Sequence, residues 1–274
     1  MPFAEIDDQS LHYIDQGSGF PVLLGHSYLW DSGMWAPQIE VLSQRYRVIA
    51  PDLWGHGRSG RLPAGTDGLS GLARQALALL DTLGIKRFAL VGHSIGGMWG
   101  AELALHAPDR VASLVLMNTH LGPEPAASRA QYTALMNQIE AIGALPPPML
   151  DVIVPLYFRP GLDPASPLPA GLRRSLAGLS AEHLRESVIP IGRIIFGRPD
   201  GRERLRGLDP ERTLLICGAQ DLARPPAETA EMAGLIGCPT YVTVPEAGHV
   251  SGLENPGFVN RTLVAELERQ LAAG

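Results

Sequence analysis

Short, mostly apolar runs recur along the chain at 21–24, 46–50, 88–91, 111–117, 213–216 and 241–244. Runs of this length without polar alternation predict strands covered on both faces, the pattern of a parallel sheet. Between them the period changes. Residues 68–83 carry Leu69, Leu72, Ala73, Ala76, Leu79, Leu80 and Leu83 at three-to-four residue spacing, and 98–107 and 259–271 repeat that spacing, which predicts amphipathic helices. Strand and helix in alternation predict an α/β fold: a mainly parallel central sheet with helices on both faces. Residues 11–15 alternate weakly and predict an early antiparallel strand at the sheet edge. From Asn118 to about Asp209 the rhythm breaks into helical segments punctuated by prolines at 146–148, 160, 164, 167, 169 and 190, so this stretch reads as an insertion.

One junction between elements carries chemistry. The run at 88–91 leads into Gly92, His93, Ser94, Ile95 and Gly96 and then into a helical stretch, which sets Ser94 on a sharp strand-to-helix turn. Glycines two residues to either side give strand and helix room to approach. An acid and a histidine follow in the order this arrangement requires. Asp221 lies just past the run at 213–216, and His249 lies just past 241–244. Both fall beyond the carboxyl end of a strand, the edge of an open parallel sheet where reactive groups gather.

On these motifs the sequence resembles the α/β-hydrolase superfamily over nearly its whole length, in particular serine-nucleophile carboxylesterases and enol-lactonases with a helical cap. The resemblance implies Ser94 as nucleophile, His249 as general base and then acid, and Asp221 as the group that fixes the imidazole tautomer. It also implies a hydrolase core of 1–118 and 210–274 and a helical cap insertion of 119–209. Tyr157, Phe158 and Phe196, with Tyr132, Met136, Met149 and Ile194, are then candidate cavity residues of the cap.

Acyl transfer needs backbone donors aimed at the developing oxyanion. Ile95, the residue after the nucleophile, supplies the first. In relatives the second follows a His-Gly pair in the loop after the first parallel strand. This chain reads Gly25, His26, Ser27, Tyr28, Leu29 there, with serine in the glycine's place. Aligned on Trp35, the register makes Tyr28 the donor; a shifted register that uses Gly25 as the loop glycine makes it His26. His26, Leu29 and His93 flank the expected site and His120 opens the cap, which makes all four candidate pocket residues. His12, His56, His106 and His183 read as structural or surface groups. Asp31 and Asp52 lack the position of Asp221 after a late strand, and the turn at 52–59 reads as a shaping element of the sheet edge.

Composition narrows the class further. A chain of 274 residues with 45% apolar content can bury one substantial core. The net charge of −6, with 18% charged residues and no basic run, removes the electrostatic footprint of a nucleic-acid binder. Acidic residues at positions 5, 7 and 8 and the lack of a membrane-length apolar run predict a cytoplasmic protein without a membrane partner. Two cysteines are too few for a disulfide framework or a zinc site, and no metal-ligand spacing or dinucleotide fingerprint occurs, so neither metal nor cofactor is expected. Serine at the elbow disfavours dehalogenases and epoxide hydrolases, which the resemblance says use aspartate there. The expected function is hydrolysis of a small carboxylic ester or lactone through an acyl-enzyme. A carbon–carbon bond hydrolase or thioesterase would share the same triad, and a small-ligand receptor on this fold is the non-enzymatic alternative.

Overall fold

The structure is a computed structural model and describes residues 2–238 and 240–271. Among these residues eight strands form one sheet: β1 Phe3–Ile6, β2 Gln9–Gln16, β3 Pro21–Gly25, β4 Arg47–Pro51, β5 Phe88–His93, β6 Val111–Met117, β7 Thr213–Gly218 and β8 Val242–Val244. Their order is β1-β2-β4-β3-β5-β6-β7-β8. The first two pairings, β1 with β2 and β2 with β4, are antiparallel, and all the others are parallel. The mainly parallel α/β sheet expected from the apolar runs is the fold found. One strand corrects the edge assignment. The stretch at 11–15 belongs to β2, which is second from the edge, because β1 adds outside it. β1 has only four residues, with Ala4 and Ile6 inward, too few to show a period of two.

Among the described residues eleven α-helices surround the sheet: α1 Ala36–Leu42, α2 Gly68–Thr82, α3 Ile95–His106, α4 Ala126–Ile142, α5 Pro147–Ile153, α6 Pro167–Ala177, α7 Ala181–His183, α8 Ile189–Phe196, α9 Pro226–Ile236, α10 Ser251–Glu254 and α11 Pro256–Leu271. Strand side chains alternate between two cores. Phe88 and Leu90 of β5, with Leu114 and Leu116 of β6, pack with α2, α3 and α9, while Ala89, Val91, Val115 and Met117 pack with α1 and α11. Each fully buried Leu, Val or Phe contributes about 1.5–3 kcal/mol, and a one-residue slip would exchange the two faces, so the register is strongly fixed. From Ile95 to Ala104 every residue of α3 is buried, which marks a helix covered on all sides. Between β6 and β7 lie α4 to α8, with a π-helical stretch Leu184–Val188 leading into α8. This segment contributes Met136, Ile139 and Leu184 to one core and Ile191 and Ile195 to the other.

The strand order reverses about β3. The chain passes from β3 outward to β4, then returns to β5 on the opposite side of β3. The crevice at the carboxyl ends of β3 and β5 is therefore a topological switch point, where ligands bind in open α/β sheets. The loop at 26–30 and Ser94 both stand there. No described helix is long and apolar enough to cross a membrane.

Candidate active site

Ser94 adopts φ 55° and ψ −117°, a region that costs a non-glycine residue about 1–3 kcal/mol and persists only when its surroundings impose it. They do. Its amide donates to the Met117 carbonyl at 2.9 Å, and its own carbonyl accepts from Thr119 Oγ1 at 2.6 Å and from the Met98 amide at 3.0 Å. Gly96 lets α3 start directly against β3, since a Cβ there would lie 2.1 Å from the Gly25 carbonyl oxygen. The glycine is thus a packing requirement of the turn that holds the serine out.

Asp221 follows the end of β7 and is buried. Its Oδ1 accepts the amides of Ala223 and Arg224, each at 2.9 Å, and its Oδ2 accepts His249 Nδ1 and Asn118 Nδ2, also at 2.9 Å. Burial alone would raise its pKa. The His249 charge and these donated hydrogen bonds outweigh burial and hold it below the usual carboxylate value. With Nδ1 committed to Asp221, His249 keeps Nε2 as its acceptor. The imidazole is seated between the rings of His93 and Tyr157, at centroid distances of 5.1 and 5.7 Å. Its loop is anchored by Glu254, which accepts from the amides of Gly248 at 2.7 Å and Arg159 at 3.0 Å. Gly248 is required by close approach, because a Cβ there would stand 2.4 Å from the Arg159 amide nitrogen.

The loop after β3 makes a turn in which the Trp30 amide donates to the Ser27 carbonyl at 3.2 Å, with Leu29 at φ 64°. The Tyr28 carbonyl accepts the Tyr157 hydroxyl at 2.8 Å, and the Tyr28 hydroxyl donates to the Val188 carbonyl at 2.8 Å. No described residue accepts the Tyr28 amide. The Ile95 amide opens α3 and has no intrahelical acceptor. Two backbone donors are therefore left unspent near Ser94, one of them at the positive end of a helix dipole.

Ser94 and His249 share the wall of a cavity of about 440 Å³, a size typical of small-molecule sites. Tyr28 and Leu29 contribute from the loop, and Tyr132, Met136, Tyr157 and Phe196 from the helices between β6 and β7. Six of the residues proposed from sequence lie elsewhere. His26 Nε2 accepts the Leu53 amide at 2.6 Å, so Nδ1 carries the proton and donates to the Ser27 carbonyl at 2.7 Å; both nitrogens brace the loop. His93 shares a face of β5 with Ala89 and Val91, packs on Trp35, and donates from Nε2 to the His249 carbonyl at 2.6 Å. His120 turns to α9, with Nε2 2.9 Å from Glu231. Phe158 is buried against Trp30, and Met149 and Ile194 also stand off the wall. Asp31 caps a short turn by accepting the Gly33 amide, and Asp52 is engaged with His12 at 2.7 Å. Asn118 and Glu254 escaped the sequence reading. The signal for Asn118 was an asparagine directly after a strand, a residue type enriched at positive φ; its φ is 47°. Among the described residues no cluster of His, Cys, Asp and Glu could hold a metal.

Two histidines near the site make the fold sensitive to acid. Burial pushes the pKa of His56 and of His93 down to about 3, helped by the neighbouring imidazoles His26 and His249 respectively. His56 Nε2 and His93 Nδ1 are buried without a partner. The unfolded chain binds a proton at each near pH 6.5, so between about pH 6.5 and pH 3 unfolding takes up protons and stability falls as pH falls. Each histidine is expected to cost about 2 kcal/mol between pH 7 and pH 5. Urea unfolding at the two pH values measures it. His56→Asn, which keeps a donor for the Trp54 carbonyl, should flatten the dependence, and an unchanged slope would contradict the assignment.

Comparison with known proteins bears on the family and the fold. The α/β hydrolase fold family matches residues 21–140. A putative carbamate hydrolase RutD of Caulobacter vibrioides is 30% identical over 269 residues, 94% of this chain and 95% of that one. The chain belongs to the α/β-hydrolase family. A second RutD, from Azorhizobium caulinodans, is 43% identical over 118 residues, 43% of this chain and 44% of that one. Two solved α/β-hydrolase structures match nearly end to end. A thermophilic esterase from Thermogutta terrifontis superposes with a TM-score of 0.85 at 26% identity, covering 98% of this chain and 99% of the other. The enol-lactonase of Burkholderia xenovorans superposes with a TM-score of 0.82 at 28% identity, covering 97% and 99%. The family and its esterase and lactonase relatives make this chain a hydrolase.

Proposed function

We propose that this hydrolase cleaves a small carboxylic ester or lactone through an acyl-enzyme on Ser94. The observation that carries the reading is the strained Ser94 on the wall of the same cavity as a histidine whose Nδ1 is committed to a buried carboxylate. In this reading His249 takes the serine proton at Nε2 and later returns it to the leaving group, and Asp221 holds the tautomer and stabilises the imidazolium. The Ile95 and Tyr28 amides receive the oxyanion, a role worth about 100- to 1000-fold in rate per donor. Residues 119–209 serve as a cap over a core formed by 1–118 and 210–274, which fits a cavity walled by both. No metal or cofactor takes part, and the substrate is the only partner invoked. Two free cysteines accord with a cytoplasmic setting.

The full-length likeness to a RutD supports a second substrate, a carbamate, which the same groups would attack. A free carbamate ion, no bigger than acetate, would leave most of 440 Å³ empty, so the carbamate that suits the cavity is one esterified to a larger group. Initial rates on 4-nitrophenyl esters of increasing chain length, a panel of lactones and a phenyl carbamate test the reading. Turnover of esters or lactones by the isolated protein supports it and dismisses the receptor alternative; turnover of the carbamate alone overturns it.

The cavity wall makes a further prediction. Phe196→Ala should move the chain-length optimum upward, because Phe196 lines the wall and one methylene is worth about 1–3 kcal/mol in such a pocket. Phe158→Ala should lower stability by about 3–5 kcal/mol without moving the optimum. kcat/KM across the ester series and the Tm of each variant separate the two roles.

A further inference from the structure

We propose that Arg224 makes one end of the cavity an acid-binding subsite, so that the preferred substrates are esters or lactones carrying a second, free carboxylate. The inference rests on the ester-hydrolase reading above and narrows its substrate class. Arg224 is the one arginine among the described residues that line the cavity, and no described Asp, Glu or Lys lines it. It is placed by the site itself, three residues after Asp221, with its amide on Asp221 Oδ1. Its Nη2 donates to Glu124 at 2.5 Å and its Nη1 to Glu228 at 3.3 Å, and its Nε donates to no described residue.

Glu124 does not depend on Arg224 alone. Arg198 Nη1 reaches the same Glu124 oxygen at 3.2 Å, and Arg198 Nε and Nη2 are buried without partners. Burial lowers the Arg198 pKa only to about 10, so it stays cationic at neutral pH. The cluster thus holds two guanidiniums on one buried carboxylate. An incoming anion can engage Arg224 while Glu124 keeps a cation, which avoids the cost of stranding a buried charge. Glu228 stands at the edge of the cluster, with its side chain 22% exposed, and its Oε1 also lies 3.8 Å from His120 Nδ1.

Two neutral donors join it on the cavity wall. Tyr132 is stacked on Phe196 at 4.2 Å and 26°, and its hydroxyl makes no hydrogen bond to a described residue. Burial, then Glu124, raise its pKa, with Arg224 acting against them, so the phenol keeps its proton and stays a donor. Gln131 lies beside it at the exposed rim. Arginine with hydroxyl and amide donors suits a planar carboxylate, and the rest of the wall is mostly aliphatic or aromatic, which suits the carbon chain that would carry it.

The test compares mono-4-nitrophenyl adipate with 4-nitrophenyl hexanoate, acyl groups alike except that a carboxylate replaces the terminal methyl. The parent protein should favour the adipate in kcat/KM by about tenfold or more, the scale of a charge-assisted hydrogen bond. Arg224→Gln should bring the ratio to about one, Arg224→Lys should retain part of it, and Tyr132→Phe, which keeps the ring stack, should lower it severalfold. Calorimetric titration with free adipate reads the subsite independently of turnover. Binding that weakens by about tenfold in Arg224→Gln supports the subsite even if no ester is cleaved, a result that would sink the hydrolase reading alone. Cleavage of the hexanoate with no preference for the adipate, or a preference and adipate binding unchanged in Arg224→Gln, overturns the subsite and leaves the hydrolase standing. Should Arg224→Gln not fold, Arg224→Lys and Tyr132→Phe decide by the same ratio.

Discussion

Ser94→Ala is expected to fold like the parent protein and to lose esterase turnover by about ten-thousand-fold or more. The fold should survive because the turn is held by backbone groups of residue 94. Its amide bonds Met117 and its carbonyl bonds Thr119 and Met98, and alanine keeps all three. The strain at φ 55° is borne equally by either side chain. In the proposed mechanism only the nucleophile is lost, and the Ile95 and Tyr28 amides remain to support a residual rate. Circular dichroism with initial rates on a 4-nitrophenyl ester checks both halves. A folded variant that retains parental turnover would remove Ser94 from the chemistry.

Asp221→Asn should be nearly as damaging, with a loss of about ten-thousand-fold, and the geometry gives the reason. Oδ1 of Asp221 receives two backbone amides, so an asparagine must keep its carbonyl oxygen there. Its amide nitrogen then faces His249 Nδ1, where the carboxylate Oδ2 had been. Presented with a donor, Nδ1 must give up its proton, the proton moves to Nε2, and Nε2 can no longer accept from Ser94. The same nitrogen also meets the Asn118 Nδ2 donor, which adds a modest cost in stability. Asp31→Asn and Asp52→Asn, whose carboxylates serve a turn cap and His12, should leave kcat within severalfold in folded protein. Parallel kcat measurements on the three variants test the assignment; equal losses would leave Asp221 without its role.

What the sequence revealed and what it concealed follow from the range of the interactions involved. The sheet was legible because both of its faces are buried, which writes apolar runs directly into the chain. Ser94, Asp221 and His249 were legible because each follows a strand, in an order the family resemblance supplied. Side-chain direction was not legible. His26 and His93 adjoin the loop and the serine in sequence, yet strand alternation turns His93 into the α1 face, and the Leu53 amide captures His26. Nor were the long-range anchors visible. Asn118 meets Asp221 across 103 positions, and Tyr157 reaches the Tyr28 carbonyl across 129. No local pattern encodes contacts of that separation, whereas the β1 edge was missed for the opposite reason, its brevity.

The central claim is that Ser94 forms a covalent intermediate with the acyl group, and reaction with diethyl 4-nitrophenyl phosphate tests it most directly. The phosphorus should be attacked by the activated serine, releasing 4-nitrophenolate and leaving a diethylphosphoryl ester that mimics the tetrahedral stage of acyl transfer. Peptide mass spectrometry should place one adduct per chain on the peptide bearing Ser94, with loss of esterase activity in proportion to labelling and no adduct in Ser94→Ala. Stoichiometric labelling at another residue, or full esterase activity in a protein fully labelled at Ser94, would contradict the account.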